Sequence, residues 1–283
     1  MPTSKKSNRG SGFRPRKQFG QHWLRDEEVL DQIIIAAALE SSDRVLEIGP
    51  GTGILTTRLL AAVNALIAVE IDRDLCKKLV RQFGDRDNFL LAQDDFLKLN
   101  LANFLQSFPR FQNPNKVVAN IPYNITAPIL EKLLGKIDTP NPNPYQSIVL
   151  LVQKEVGARL VAIPGTKAFG ALSIRVQYLA DCQLVCDVPA KAFYPPPKVD
   201  SVVVKLTPRV LANPADNPRQ LATLVKLGFA NRRKMLRNNL KSLIDTPDLN
   251  QLLTQLNFNP QCRGEDLGLE DWILLSNRID SLL

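Results

Sequence analysis

The chain has 283 residues, 45% of them hydrophobic, which is enough for a sizeable core and excludes wholesale disorder. Its longest apolar run spans seven residues, 33–39, well short of the roughly 20 that a membrane helix needs, and the basic start lacks the apolar segment of a secretory signal. The net charge of +8 suits an anionic partner, whereas four cysteines and one histidine argue against a disulfide scaffold or a His-rich metal site and favour the cytoplasm.

The predicted elements begin after a polar, basic segment, residues 1–12, that we expect to be disordered. From there, helix-like and strand-like patterns alternate, which is typical of a mostly parallel sheet covered on both faces. The predicted strands are 44–48, 66–71, 88–92, 116–120, 147–152, 183–188 and 200–206. The predicted helices between or before them are 27–39, 54–63, 73–83, 127–134 and 154–161. No clear helix separates the last two strands, which favours an antiparallel edge strand.

The chain after the sheet has a different composition. Residues 207–219 contain three prolines and are predicted to be a linker. Residues 220–283 carry no strand pattern and are predicted to form a small helical domain. The resulting division is a tail over 1–12, an α/β catalytic domain over 13–206, a linker over 207–219 and a helical domain over 220–283.

A glycine-rich turn follows the first predicted strand. Residues 49–53 read GPGTG, which is neither the dinucleotide fingerprint nor a phosphate loop. Glu70 ends the next strand, where a carboxylate can bind both hydroxyls of a ribose, and Asp94 follows the third strand, where it can meet an adenine amino group. Glu47 precedes the turn and could orient it. A nucleoside without a pyrophosphate, such as S-adenosylmethionine, fits this pattern; the alternative is a plain strand-to-helix turn.

A second motif, Asn120-Ile121-Pro122-Tyr123, ends the fourth predicted strand. The exocyclic nitrogen of adenine is a poor nucleophile, because its lone pair is delocalised into the ring. The side-chain oxygen of Asn120 and the carbonyl of Ile121 could accept its two protons and favour the nucleophilic sp³ form. Pro122 stiffens the backbone and Tyr123 offers a stacking surface. The alternative is a strand-end turn with a buried tyrosine.

Cations are concentrated at two places in an otherwise nearly neutral chain. Residues 1–25 hold seven basic residues and no acid, and six basic residues between 226 and 241 precede the first acid of the last segment. If 221–240 is one helix, three cations share a face and could meet RNA phosphates. The predicted phosphate-binding residues of the two segments are Arg14, Arg16, Lys17, Lys226, Arg233 and Arg237. The alternative is a solvated tail and a solvated helix face.

Two further features precede the linker. Cys182 and Cys186 lie four apart in a predicted strand, point to one face on that spacing, and are interpreted as core residues. Phe193 opens a Pro-rich turn and is the candidate for a second aromatic wall, opposite Tyr123, around a flipped adenine. The alternative is a core phenylalanine. Lys198, in the same turn, is a candidate phosphate contact or a plain surface charge.

With these residues in hand, the chain resembles the ribosomal RNA adenine dimethyltransferases from about Phe13 to about Ser276. The motifs that carry the resemblance are RKQFGQHWLRD, EIGPGTG, VEID, NIPYNI, LLVQKEVGARL, AFYPPPKVDS and FANRRKMLRNNL. The last three resemble the bacterial small-subunit branch, which is linked to kasugamycin sensitivity. The resemblance implies a Rossmann-like methyltransferase sheet of about seven strands with a small all-helical C-terminal domain. It also implies dimethylation of two adjacent adenosines in the 3′-terminal hairpin loop of 16S rRNA.

The resemblance also implies roles for individual residues. The cofactor is S-adenosylmethionine, held by His22, Leu24, Gly49, Gly51, Glu70, Asp94 and Asn120. Asn120, Ile121, Pro122, Tyr123 and Phe193 form the catalytic set. Many relatives read G-Q-N-F-L in the N-terminal arm, whereas this chain has G-Q-H-W-L, so His22 stands where they carry asparagine. Whether His22 uses its side chain or its backbone stays open, and the alternative is a surface histidine.

Two other functions compete with this reading. One is a non-catalytic assembly factor on the maturing small subunit, and the other is methylation of large-subunit rRNA. The intact glycine loop, acids and NIPY motif disfavour the first, and the basic C-terminal segment disfavours the second. We expect 16S rRNA in the 30S subunit as partner, and neither a membrane, a metal nor an obligate protein partner.

Overall fold

The computed structural model describes Arg16 and residues 20–280. The tail predicted over 1–12, and two of the predicted RNA-binding residues, Arg14 and Lys17, lie outside the described residues. Within the described part, no helix is both long enough and apolar enough to cross a membrane. The division into a catalytic domain, linker and helical domain stays a prediction.

A seven-stranded sheet forms the centre of the fold, in the order β4-β3-β2-β5-β6-β9-β7. All seven predicted strands are present, with ends that move by at most three residues. The strands are β2 (Arg44–Ile48), β3 (Ala65–Glu70), β4 (Phe89–Gln93), β5 (Lys116–Asn120), β6 (Ser147–Gln153), β7 (Ala180–Val188) and β9 (Ser201–Pro208). The first five are parallel, and β9 runs antiparallel to both of its neighbours. This mixed sheet with helices matches the predicted Rossmann-like fold.

The antiparallel edge strand predicted from the last two strands is present: β7 forms the edge and pairs antiparallel with β9, which lies one position inside. Burial explains this order. Three consecutive valines, 202–204, are buried on both faces of β9, as a central strand requires, whereas most of β7 is partly or fully exposed. A bulge between Leu184 and Cys186 also turns the strand, so that Cys182 packs in one core and Cys186 in the other. The expected shared face of the two cysteines is therefore wrong.

Helices cover both faces of the sheet. They are α1 (Glu27–Ala37), α2 (Ile54–Ala62), α3 (Arg73–Phe83), α4 (Leu101–Leu105), α5 (Thr126–Leu134), α6 (Lys154–Leu160), α7 (Ala171–Leu179), α8 (Pro218–Gly228), α9 (Leu236–Leu240), α10 (Thr246–Gln255) and α11 (Leu269–Asp280). The predicted span of α3 is confirmed at both ends. The Asp72 side chain caps its first turn by accepting from the Asp74 amide, and Gly84 follows its last residue.

Two apolar cores lie on opposite faces of the sheet, because neighbouring strand residues point to opposite sides. The first core contains Leu46 and Val117, and the second contains Val45 and Val118. The C-terminal helices contribute to the first core, where Trp272 is fully buried. The helical segment therefore packs against α7 and shares the core on that side of the sheet.

The single helix predicted over 221–240 is wrong. Helix α8 stops at Gly228 and α9 begins at Leu236, and the Asn239 side chain closes the turn between them. Its amide nitrogen donates to the carbonyls of Gly228 (2.7 Å) and Asn231 (3.0 Å). The Trp272 ring packs closely against Gly228, the last residue of α8, and leaves no room there for a side chain. Lys226, Arg233 and Arg237 thus do not share one helix face.

This contact predicts a stability effect for Gly228→Ala. A Cβ at Gly228 would lie 2.3 Å from the Trp272 ring, so the indole must shift. We expect the free energy of unfolding to fall by about 1–3 kcal/mol, measured by urea titration with tryptophan fluorescence. Gly170→Ala is the matched control, because a Cβ there meets nothing within 4 Å. Equal midpoints for the two variants would contradict the packing described here.

A second, two-stranded sheet pairs β1 (Trp23–Leu24) with β8 (Phe193–Tyr194). It connects the N-terminal arm to the Pro-rich turn, and the amide of Arg25 extends the pairing by donating to the carbonyl of Ala192 (2.8 Å). Neither strand was predicted, because two residues are too few to show a period. The arm is thereby held beside the ends of the parallel strands.

Candidate functional site

A pocket of about 360 Å³ opens at the carboxyl ends of β2, β3, β4 and β5, which is where open α/β sheets bind ligands. The N-terminal arm covers one side of it. Every predicted cofactor-binding residue lines this pocket, as do all four residues of the NIPY motif. These residues are His22, Leu24, Gly49, Gly51, Glu70, Asp94, Asn120, Ile121, Pro122 and Tyr123.

The glycine turn forms the floor beside β2. Gly49 and Gly51 have φ of 68° and 59°, a conformation that side chains disfavour. A Cβ at Gly51 would lie 3.1 Å from the Trp23 ring, so glycine also permits close packing of the arm. The turn thus presents bare backbone to the pocket, as close approach of a ligand requires.

Glu70 is held at the rim by two backbone donors. Its Oε2 accepts from the amide of Gly51 (3.1 Å) and its Oε1 from the amide of Asp72 (2.9 Å). The side chain is 5% exposed, and burial raises its pKa, partly opposed by these hydrogen bonds. Both oxygens are thereby fixed in place, which suits binding of two ribose hydroxyls.

Glu47 lies beneath the turn and is 1% exposed. The Thr56 hydroxyl donates to it (2.7 Å), and burial, with the nearby charge of Glu70, raises the pKa of Glu47 to about 8. The group is therefore largely protonated at neutral pH. A cationic ligand bound above it would favour its ionised form.

The raised pKa of Glu47 predicts how stability changes with pH. Between about pH 4.5 and pH 8 the folded chain holds a proton that the unfolded chain has lost, so stability falls as pH rises, by up to about 1.4 kcal/mol per pH unit. Glu47→Gln should lose this slope in urea titrations from pH 5 to pH 8.5. The exposed Glu40→Gln should keep it. A Glu47→Gln profile as steep as that of the wild type would refute the assignment.

Asp94 follows β4 and is tied into the site through its backbone and side chain. Its amide donates to the carbonyl of Glu70 (3.0 Å), and its Oδ1 accepts from the amide of Asp95 (2.7 Å). The two predicted nucleoside-binding acids therefore lie on adjacent, directly linked strand ends.

Asn120 ends β5 and faces the arm. Its amide nitrogen donates to the carbonyl of His22 (3.1 Å), and because a carbonyl can only accept, this contact fixes which way the amide points. The side-chain oxygen of Asn120 is therefore directed away from that carbonyl. Ile121 is buried, and Pro122 leads into the short helical turn that carries Tyr123.

The side chain of Tyr123 is held by contacts at its hydroxyl and on one face of its ring. Its hydroxyl lies 2.5 Å from the hydroxyl of Ser201, and the His22 ring stacks on its face with centroids 5.9 Å apart. His22 Nδ1 lies 2.8 Å from the carbonyl of Pro195, in the Pro-rich turn. The two rings are one stacking distance apart, so a base cannot enter between them unless His22 moves.

Phe193 does not reach this pocket. It is 4% exposed and packs in the second core, against which Tyr123 also packs, and its role as a wall around a flipped adenine stays a prediction. The following Tyr194 is 47% exposed, with the Arg25 guanidinium 4.2 Å from its ring centre. The ring that faces Tyr123 is His22, which sequence reasoning had assigned to the cofactor alone.

Several pocket residues were not anticipated. Trp23 and the segment 95–97 line the pocket next to predicted residues. Among the described residues, the buried indole nitrogen of Trp23 has no hydrogen-bond partner. The one sequence signal for these residues is that they adjoin a motif. In a sequence, an apolar side chain that lines a pocket cannot be told from one that is buried in the core.

The predicted RNA-binding residues are dispersed. Lys198, Lys226 and Arg233 are exposed, and Arg237 is half-buried. Arg16 is instead paired within the chain, with Asp72 (3.1 Å) and Asp74 (2.5 Å). The neighbouring Arg232, in the same basic run, pairs with Glu265.

The comparisons with known proteins agree with this site. Residues 12–281 match the family model described as ribosomal RNA adenine dimethylase. Proteins named ribosomal RNA small subunit methyltransferase A from Picosynechococcus sp. and Synechocystis sp. are 65% and 55% identical to this chain. The alignments cover 95% and 96% of this chain and 98% of each relative.

Solved structures show the same fold. A dimethyladenosine transferase from Plasmodium falciparum superimposes with a TM-score of 0.75 at 27% identity, covering 92% of this chain and 98% of that one. The 23S rRNA methyltransferase ErmE has a TM-score of 0.68 at 24% identity, covering 91% and 99%. The predicted fold, enzyme class and methyl donor are confirmed. The chain belongs to the ribosomal RNA adenine dimethylase family, whose enzymes use S-adenosylmethionine to methylate rRNA.

Proposed function

We propose that this protein dimethylates the exocyclic N6 of two adjacent adenosines in the 3′-terminal hairpin loop of 16S rRNA, in the cytoplasm and within the small ribosomal subunit. The observation that carries the proposal is the orientation of the Asn120 side chain, whose amide nitrogen donates to the His22 carbonyl. Its oxygen is then available to accept from an amine, which is what an adenine N6 requires. The names of the relatives, which specify the small subunit, support the choice of RNA.

The pocket fits the methyl donor. The bare turn at Gly49 and Gly51, the fixed carboxylate of Glu70 and the adjoining Asp94 suit a nucleoside without a pyrophosphate. Glu47 would adjust to a positive charge by releasing its proton, because the charge favours the carboxylate. When bound there, S-adenosylmethionine supplies an electrophilic methyl group on a positively charged sulfur.

The NIPY motif prepares the amine. The Asn120 oxygen and the Ile121 carbonyl would accept the two N–H protons of the adenine, which concentrates the lone pair on nitrogen as it attacks. Neither group is a strong base, so the proton of the methylated nitrogen passes to solvent. Tyr123, held by Ser201, would support the flipped base by stacking, and His22 would have to move from its face.

Exposed cations outside the pocket would bind the RNA backbone. Lys198 lies in the Pro-rich turn that His22 contacts, whereas Lys226 and Arg233 lie in the C-terminal helical region. Two separated basic regions suit a large RNA surface such as a ribosomal particle. A role in subunit biogenesis follows if methylation occurs only on a precursor particle.

The test is transfer of labelled methyl groups from S-adenosylmethionine to unmethylated rRNA. We expect incorporation into small subunits from cells that lack this activity, and none into large subunits. Naked 16S rRNA in a parallel reaction separates a particle substrate from an RNA substrate. No incorporation into any small-subunit material, by protein shown to bind S-adenosylhomocysteine, would contradict the proposal and favour a non-catalytic assembly factor.

A further inference from the structure

One lysine outside the pocket binds the segment that closes it. Lys132 lies on α5, and its ammonium donates to the backbone carbonyls of Phe96 (2.5 Å), Leu97 (3.2 Å) and Leu99 (2.7 Å). It also lies 4.9 Å from the centre of the Phe96 ring. An ammonium has three donors, so one segment uses all of them.

That segment forms one wall of the cofactor pocket. Residues 94–97 all line it, directly after the end of β4. The Asp95 side chain accepts from the amide of Leu97 (3.0 Å), and the Asp95 carbonyl accepts from Leu99 (2.9 Å), which folds residues 95–99 into a tight turn. The turn brings three carbonyl oxygens close together. Their partial negative charges repel one another, and the ammonium of Lys132 offsets this repulsion.

The backbone of Lys132 lies in α5, the helix that follows the NIPY motif. Helix α5 starts three residues after Tyr123, and the Thr126 hydroxyl at its start donates to the Tyr123 carbonyl (3.2 Å). Lys132 therefore joins the helix that follows the NIPY motif to the wall that carries Asp94. Burial lowers the pKa of Lys132, whereas the charges of Asp95 and Asp94 raise it, so the two carboxylates help to keep it cationic.

We propose that Lys132 is a positioning residue that holds segment 94–99 in the form that binds the adenine end of the methyl donor. The inference rests on the proposed contact of Asp94 with that adenine. It assigns Lys132 no contact with cofactor, RNA or the reacting atoms. Removing the ammonium should therefore weaken cofactor binding and leave the chemical step intact once cofactor is saturating.

The test compares Lys132→Met with Lys136→Met, a matched control on the next turn of chain whose exposed ammonium pairs with Glu131. Calorimetry with S-adenosylhomocysteine should show a Kd about tenfold higher for Lys132→Met, the scale expected for lost charge-assisted hydrogen bonds, and no change for Lys136→Met. The KM for S-adenosylmethionine should rise similarly, with kcat on small subunits within about twofold of the wild type. Lys132→Arg, which keeps the cation, should recover most of the affinity.

A second ligand separates local positioning from general damage. S-inosylhomocysteine lacks the adenine amino group, so it already forgoes the predicted Asp94 contact, and its Kd should change much less in Lys132→Met. Equal losses for both ligands, a Kd unchanged from Lys136→Met, or a fall in kcat without a rise in KM would overturn the proposal. If Lys132→Met does not fold, Lys132→Gln, which removes the charge but keeps a polar side chain, is compared with Lys136→Met by the same criteria. The binding assays need no RNA, so an error in the proposed rRNA target would leave their outcome unaffected.

Discussion

Asn120→Ala should lower the rate of methyl transfer to unmethylated small subunits by about 10²–10³-fold, the scale seen when one group that stabilises a transition state is removed. The variant loses the oxygen that would accept from the target amine and the nitrogen that holds the His22 carbonyl. The remainder of the cofactor pocket is unchanged, so binding of S-adenosylhomocysteine should weaken far less than the rate. Single-turnover methylation with saturating cofactor measures the rate directly.

The control for this prediction is Asn103→Ala, which removes an exposed asparagine on α4. It should methylate at the wild-type rate. An Asn120→Ala enzyme that keeps more than about half of its activity under the same conditions would show that Asn120 does not prepare the amine. Loss of activity in both variants would point to a folding defect instead, which thermal unfolding would reveal.

Glu70→Gln should have the second large effect, a loss of cofactor affinity of about 100-fold, or about 2.7 kcal/mol. The carboxylate uses both oxygens to accept from the amides of Gly51 and Asp72. A glutamine of the same shape has one acceptor, so its NH₂ must face one of these N–H groups. The rim would rearrange, and the ribose contacts would be lost with it.

Calorimetry with S-adenosylhomocysteine measures this effect, with Glu155→Gln as control. Glu155 forms an exposed ion pair with Arg159 on α6 and should not affect cofactor binding. Wild-type affinity in Glu70→Gln would contradict the assignment of Glu70 to the ribose. A loss of folding rather than of binding would appear as a lower unfolding midpoint.

The features that the sequence predicted well are those with a local physical cause. The parallel strands are recognisable as apolar runs. Strand β3 ends at Glu70 and β5 at Asn120, and these two residues indicate where the pocket lies because the carboxyl ends of parallel strands meet at one edge of the sheet. The start of helix α3 was predicted correctly because the Asp72 side chain caps its first turn. These signals need no knowledge of distant contacts.

The features that failed depend on contacts between distant residues. The helix over 221–240 ends early at Gly228, and the Trp272 ring that packs on this residue lies more than forty positions along the chain. The pairing of Phe193 with Leu24 in a two-residue strand, and its burial in the second core, could not be read from its motif, and its role opposite Tyr123 stays a prediction. Lys132 carries no sequence signal at all, since its three acceptors are backbone carbonyls. Periodicity and motifs cannot report such contacts.

The proposed activity is measured most directly by mass mapping of the 3′-terminal fragment of 16S rRNA, after unmethylated small subunits are incubated with the protein and S-adenosylmethionine. We expect two adjacent adenosines in the terminal hairpin loop each to gain two methyl groups with the wild-type protein, and none with Asn120→Ala. Methyl groups on any other nucleotide, on the adenosine ribose, or at the same sites with both proteins would contradict it.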